Sequence, residues 1–215
     1  VSVSEELRRV EAGIGAVRRL SSSIPVSVDT FRSEVAKEAV LNLGADMVND
    51  VSGGLLDAGM FDAVADLKVP YVLTHMRGTP ADMSSRTDYP QGVAAGVAAE
   101  LSGKLRELAL RGVSDVIVDP GFGFAKTVGQ NYELMAGLPE LGRLLQRPIL
   151  VGVSRKSMVY RPLGISPSDA LPGTIVLNTL ALERGAAILR VHDVAEAVQA
   201  VAVWKRFNEA CSVIS

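Results

Sequence analysis

Asp29, Asn49 with Asp50, His75 with Arg77, Asp119, Arg155 with Lys156, and Arg190 with His192 are the groups of this chain best suited to chemistry. Each closes a short apolar run, most plainly in V-I-V-D-P-G-F-G-F-A-K from Val116 to Lys126. Carboxylates and an amide together accept from and donate to a flat, nitrogen-rich heterocycle, and a carboxylate can take two N–H bonds from a guanidine-like edge. Lysine, arginine and histidine at other points of the same rim suit an anion such as a phosphate. Taken singly, each residue has a structural use. Asp119 can close a turn, Asp29 can cap a helix, Asn49 or Asp50 can pin a loop, His75 can be a bonded rim histidine, and Arg155 and Lys156 can be solvated. Six strand ends of one kind point instead to one pocket, with a polar heterocycle on one side and an anion on the other.

The elements that must position these groups alternate along the chain. Ser4 can cap a first helix with apolar residues at Leu7, Val10, Ile14, Val17 and Leu20, and Glu5 and Glu6 in its first turn. Strands are expected over Ile24–Thr30, Asp46–Val51, Tyr71–Gly78, from Val116, over Ile149–Val153 and over Ala187–Val191. Helices are expected over Ser33–Leu43, Asp57–Leu67, Val93–Arg111, Gln130–Leu145, Gly173–Arg184 and Val194–Phe207, with a polar loop over Thr79–Gln91 that holds Pro80 and Pro90. Strict alternation with doubly apolar strands means a parallel sheet in an α/β fold, either doubly wound or a barrel. Polar groups on every strand end favour the (β/α)8 TIM barrel, whose strands all face one mouth. Six strand–helix units preceded by a helix then leave a single domain over residues 1–215, N-terminally incomplete by a first strand–helix unit and a second strand.

Composition narrows the partners. With 215 residues and 48% hydrophobic content the chain is long and apolar enough to bury a sizeable core. A net charge of −2 speaks against a surface built for nucleic-acid backbones. No apolar run approaches the ~20 residues that cross a bilayer. The single cysteine, Cys211, excludes an intrachain disulfide framework and a cysteine-based zinc site. The expected partners are therefore small molecules, without nucleic acid or membrane, in a reducing, cytoplasmic setting.

Rival motifs fail. Gly121-Phe122-Gly123 starts like a dinucleotide fingerprint, but Lys126 stands where the third glycine belongs. No Gly-rich phosphate loop ending in Gly-Lys-Ser/Thr and no Gly-x-Ser-x-Gly elbow occurs. His75 and His192 are the only histidines, and neither sits in a His-Glu-x-x-His frame.

S-V-D-T at Ser27–Thr30, N-D-V-S-G-G at Asn49–Gly54 and H-M-R-G-T-P at His75–Pro80 resemble the dihydropteroate synthase family. So do D-P-G-F-G-F at Asp119–Phe124, G-V-S-R-K-S at Gly152–Ser157 and R-V-H-D-V at Arg190–Val194. The motifs occur in the family's order over essentially the whole chain. The resemblance implies a barrel enzyme of folate biosynthesis, a transferase that joins a 7,8-dihydropterin-6-ylmethyl diphosphate to p-aminobenzoate and is the target of sulfonamides. It implies pterin contacts from Asp29, Asn49, Asp119, Lys156 and Phe124, with Lys156 and Asp29 catalytic. Ser157 and Lys156 would border p-aminobenzoate, and Arg190 and His192 would hold the pyrophosphate. It further implies Mg2+ as cofactor and a homodimer packed through the late helices.

The chain also departs from the family. The family's Asn-Val-Thr-Pro-Asp-Ser-like segment, which supplies an anion and magnesium ligand, is not in this sequence, so no metal ligand is expected from it. The loop that closes over p-aminobenzoate is likewise not in it. Ala125 replaces a glycine, and Thr74 stands where many relatives have methionine. Two rivals share the pterin-grasping residues: a methyltetrahydrofolate-binding methyltransferase barrel, against which the Ser-Arg-Lys-Ser and Arg-Val-His-Asp motifs speak, and a non-catalytic pterin-binding paralogue.

Overall fold

A computed structural model describes residues 1–79 and 81–214, with side chains as far as Cys211; Pro80 of the expected polar loop lies outside them. Helix α1 (Val3–Leu20) is capped by Ser2, two residues earlier than the expected Ser4, because the Ser2 hydroxyl accepts the Glu5 N–H at 3.3 Å. Arg18 of α1 then ties the next elements together, donating to the Ile24 carbonyl at 2.6 Å and to Asp46 Oδ2 at 2.6 Å.

The strands are short: β1 (Ser27–Asp29), β2 (Met47–Asp50), β3 (Tyr71–Thr74), β4 (Val116–Asp119), β5 (Leu150–Val151) and β6 (Ile188–Leu189). Between and after them lie α2 (Ser33–Leu41), α3 (Met60–Leu67), α4 (Val93–Leu110), α5 (Val128–Ala136), α6 (Leu138–Leu145), α7 (Ser157–Leu163), α8 (Leu171–Glu183) and α9 (Val194–Ile214). Strands β1 to β4 pair in chain order, all parallel, and β5 pairs parallel with β6. A parallel bridge between Val118 and Ile149 joins the two sets into one arc. This is the wall of a TIM barrel, with β1 and β6 at the two ends of the arc.

Residues paired across a parallel ladder point to the same face, and neighbours along a strand to opposite faces. The registers Asp29–Asn49, Asn49–Val72 and Val72–Ile117 run along one line of the inner face; Thr74–Asp119 lies above it and is continued by Leu150–Ile188 through the Val118–Ile149 bridge. Val72, Ile117 and Leu150 fill the inside with Met47 and Ile188 packed on them. Val28, Val48, Tyr71, Leu73, Val116, Val118 and Val151 point outward into the larger core under the helices. Apolar floor and polar mouth thus share the inner face.

The helices depart from expectation in three places. The single helix over Gln130–Leu145 is two, α5 and α6, divided at Gly137. Pro139 lacks an N–H for the preceding turn, so the helix restarts with proline in its first turn, where that group is not needed. Helix α7 was not expected: its seven residues hold Pro162 and end at Gly164, leaving too short a pattern to read. The last helix also runs past Phe207, to Ile214.

Candidate active site

Asp119 ends β4 on the inner face, 8% exposed, and accepts the Gly121 N–H at 2.8 Å. The Asp-Pro-Gly turn needs its glycine. Gly121 has φ +71°, and a Cβ there would run into the His75 carbonyl. Burial pushes the Asp119 carboxyl above the usual carboxylate range, while Lys156, the Gly121 N–H, Lys126 and Arg190 pull it back. A carboxylate in this setting favours a ligand that brings its own N–H donors.

Beside it, Asn49 Nδ2 donates to Asp29 Oδ1 at 2.5 Å. Arg190, arriving from the other end of the arc, pairs with the second Asp29 oxygen. Asn49 Oδ1 is buried and has no hydrogen-bond partner among the described residues. An unmet buried acceptor costs on the order of 1–3 kcal/mol, so this atom waits for a donor. Asp29, half exposed, faces the opening.

Lys156 precedes α7 and reaches back across the mouth, its Nζ donating to the Phe122 carbonyl at 2.5 Å and lying 5.0 Å from the Phe124 ring centroid. Burial pulls its ammonium below the ordinary lysine range, the Asp119 charge opposes that fall, and Arg190 adds to it. Phe124 is half-buried, on the loop after β4. Ser157 is half-buried at the first residue of α7, and His192 is exposed beyond β6, its backbone N–H donating to Ser154 Oγ at 3.3 Å. Neither side chain is hydrogen-bonded to the Asn49–Asp29–Arg190 chain among the described residues.

Four of the strand-end groups serve other ends. Asp50 points outward and accepts from the Ser52 N–H and hydroxyl, the Gly54 N–H and the Tyr71 hydroxyl, at 2.7 to 2.8 Å, which pins the loop after β2. His75 and Arg77 both turn to Glu100 of α4, at 3.1 and 2.5 Å. Arg155 binds Asp193 and the Pro167 and Ser168 carbonyls, fastening α7 to the end of β6. For Asp50 and His75 the reason is the period of two, since residues adjacent to Asn49 and Thr74 cannot also face the mouth; Arg155 is turned away by its left-handed backbone, φ +52°, in the turn before α7.

Buried Lys126 and half-buried Glu100 carry charge under the site, yet in the sequence Lys126 figures only as the residue that breaks a dinucleotide fingerprint. Glu100 lies within the Ala-rich α4, where nothing sets it apart from a solvated helix face.

A model of the pterin-binding enzyme family matches residues 1–192. The chain is 42% identical to the dihydropteroate synthase of Synechocystis sp., over 95% of this chain and 72% of that protein. It is 41% identical to the folic acid synthesis protein fol1 of Schizosaccharomyces pombe, over 91% of this chain and 27% of that longer protein. Among solved structures, Yersinia pestis dihydropteroate synthase with a sulfonamide drug superposes with a TM-score of 0.91 at 33% identity, covering 98% of this chain and 76% of that one. The Xanthomonas albilineans synthase in complex with 7,8-dihydropteroate gives 0.86 at 39% identity, covering 97% and 76%.

Proposed function

The chain belongs to the pterin-binding enzymes, in the dihydropteroate synthase family, and from that premise we propose that it forms 7,8-dihydropteroate from a dihydropterin-6-ylmethyl diphosphate and p-aminobenzoate. The p-aminobenzoate nitrogen attacks the methylene carbon, the C–O bond to the diphosphate breaks, pyrophosphate leaves and the amine gives up a proton. The observation that carries this reading is the convergence of Asp29, Asn49 and Asp119 on one inner face, with Lys156 and Arg190 over it.

In this reading Asp119 takes the 2-amino and N3 edge of the pterin, and the unmet Asn49 Oδ1 accepts from the same ring. Asp29 meets the N8 side, where its charge stabilises the cation that grows as the C–O bond opens. Lys156 borders both substrates, Phe124 packs on them, and Ser157 sits on the p-aminobenzoate side. Arg190 is held ready for the leaving pyrophosphate by its pair with Asp29, and His192 joins it there.

No group of three or more His, Cys, Asp or Glu side chains among the described residues could hold a metal ion. These residues do not build a Mg2+ site, and Mg2+ would arrive only as an ion brought with the diphosphate. A cytoplasmic location and a homodimer complete it. The dimer is supported by exposed Val176 and Leu180 on α8 with Val198, Val203 and Phe207 on α9. Among the described residues no helix is long and apolar enough to cross a membrane.

The test is a coupled pyrophosphate assay. Release that depends on p-aminobenzoate is expected, together with its loss in Lys156→Ala. A Lys156→Ala protein that turns over at the wild-type rate would overturn the role given to that lysine.

A further inference from the structure

Beneath the loop between β4 and α5 lies a charged cluster that the reaction does not use. Lys126 is buried, and its Nζ stands 3.0 Å from each of three acceptors: the Gly121 carbonyl, the Phe124 carbonyl and His75 Nδ1. An ammonium has three N–H bonds and no acceptor, so all three are spent here. His75 Nδ1 must then accept, which places the imidazole proton on Nε2, facing Glu100 Oε2 at 3.1 Å. Glu100 Oε1 takes Arg77 Nε at 2.8 Å, Arg77 stacks 3.8 Å over the Tyr89 ring, and the Tyr89 hydroxyl donates to the Ala125 carbonyl at 3.1 Å. The cluster closes on the loop it started from.

That loop carries Asp119 at one end and Phe124 near the other. Its Gly121, Phe124 and Ala125 carbonyls are held from the outer side by Lys126 and Tyr89, and its Phe122 carbonyl from the mouth by Lys156. Ala125 stands at φ +49°, a left-handed conformation that a side chain resists, so the loop needs such fastening.

We propose that Lys126 is a positioning residue whose ammonium sets the seat of Asp119 and Phe124, so that loss of its proton loosens the loop and weakens the pterin end of the site. The proposal rests on the pterin reading given above. A neutral amine has two N–H bonds for three acceptors. If His75 turned its proton to Nδ1 to meet the amine's lone pair, Nε2 would face the Glu100 carboxylate with no proton between them. Either way one contact is lost.

Burial pulls the ammonium down from 10.5 to about 7; Asp119 and Glu100 oppose the fall, and Arg77 and Lys156 add to it. These, with His75, are the charged and titratable groups that face it. His75 is held down to about 4 and Glu100 down to about 2, so neither changes charge on the alkaline side where Lys126 does. Lys156 is also pulled down by burial, and its own step persists in a Lys126 variant, which tells the two lysines apart.

The experiment measures, on the full chain at about pH 6 and about pH 8.5 on either side of the Lys126 step, the amide chemical shifts of ligand-free Gly121 and Gly123 and the calorimetric Kd for the pterin diphosphate. In the wild type both amides should move with pH, and the Kd should weaken about tenfold with rising pH, the scale of losing one such hydrogen bond. Lys126→Met, a neutral near-isostere, should show the weak Kd already at about pH 6 and lose the glycine-amide movement that belongs to Lys126, leaving only the Lys156 step at Gly123. Lys126→Gln gives the same reading if the Met variant does not fold. Glycine amides that ignore pH in the wild type, or a variant that keeps the wild-type Kd, would overturn the proposal. A wild type that binds no pterin at either pH sinks the functional reading instead, and the amide shifts alone then decide the role of Lys126.

Discussion

Asp29 and Arg190 form the most exposed pair in the site, with side chains 45% and 50% exposed. An ion pair so open to water contributes about 0–1 kcal/mol to stability, so it adds little to the fold and leaves both groups free for a ligand. Arg190→Ala is accordingly expected to shift the melting temperature little and to raise KM for the pterin diphosphate, checked by thermal melts beside steady-state kinetics. Asp119→Asn should cost more, because a neutral amide repels one of the two N–H donors it must accept. Pterin affinity should fall by about 10²-fold or more, the scale of losing charge-assisted bonds in a buried site. Calorimetric titration measures it. His75 supplies a pH prediction. Burial lowers its pKa from 6.5 to about 4, against the Glu100 bond that raises it. The unfolded chain binds the proton more readily between those values, so stability is present above about pH 6.5 and drains away on acidification toward 4, by on the order of 3 kcal/mol. Urea unfolding across that window should show the slope, and His75→Gln should flatten it.

At the scale of elements, the site depends on where strands stop. The turn at Asp119-Pro120-Gly121 brings β4 hard against the His75 carbonyl, and only glycine fits. Gly121→Ala is expected to lower stability by about 2–4 kcal/mol through both clash and left-handed strain, and to reduce pterin binding with it. Equilibrium unfolding with and without pterin reads both effects. The sequence makes the strand ends visible because β-branched runs and Asp-Pro-Gly turns are local signals. It does not say which of two neighbours faces the mouth. Asn49 and Asp50 look equally suitable, and only the register with Val72 and Leu73 turns one inward and the other toward Tyr71. Arg155 and Lys156 separate by a turn and not by register, Arg155 taking φ +52° and turning to Asp193. Helix α7 was illegible because a seven-residue segment with an internal proline carries too little periodicity. Lys126 was illegible because, beside the nearby Gly121 and Phe124 carbonyls, the partner that marks it is His75, 51 positions away in the chain and itself backed by Glu100 of α4.

For the molecule as a whole, the parallel arc gathers groups from Asp29 to Arg190, 161 positions apart in sequence, onto one rim. Its inner floor is apolar and its outer face is sealed by helices, so charge concentrates where a flat polar ligand and an anion would enter. The exposed apolar residues of α8 and α9 belong to the same scale, and a dimer through them predicts a mass twice the chain's in light scattering, falling to the monomer's in Val203→Glu. The rim's chemistry is read by following pyrophosphate as p-aminobenzoate is added to protein already loaded with the pterin diphosphate. Release in step with dihydropteroate formation is expected, lost in Lys156→Ala; a protein that binds the pterin tightly yet releases no pyrophosphate on that addition would contradict the catalytic role of the rim.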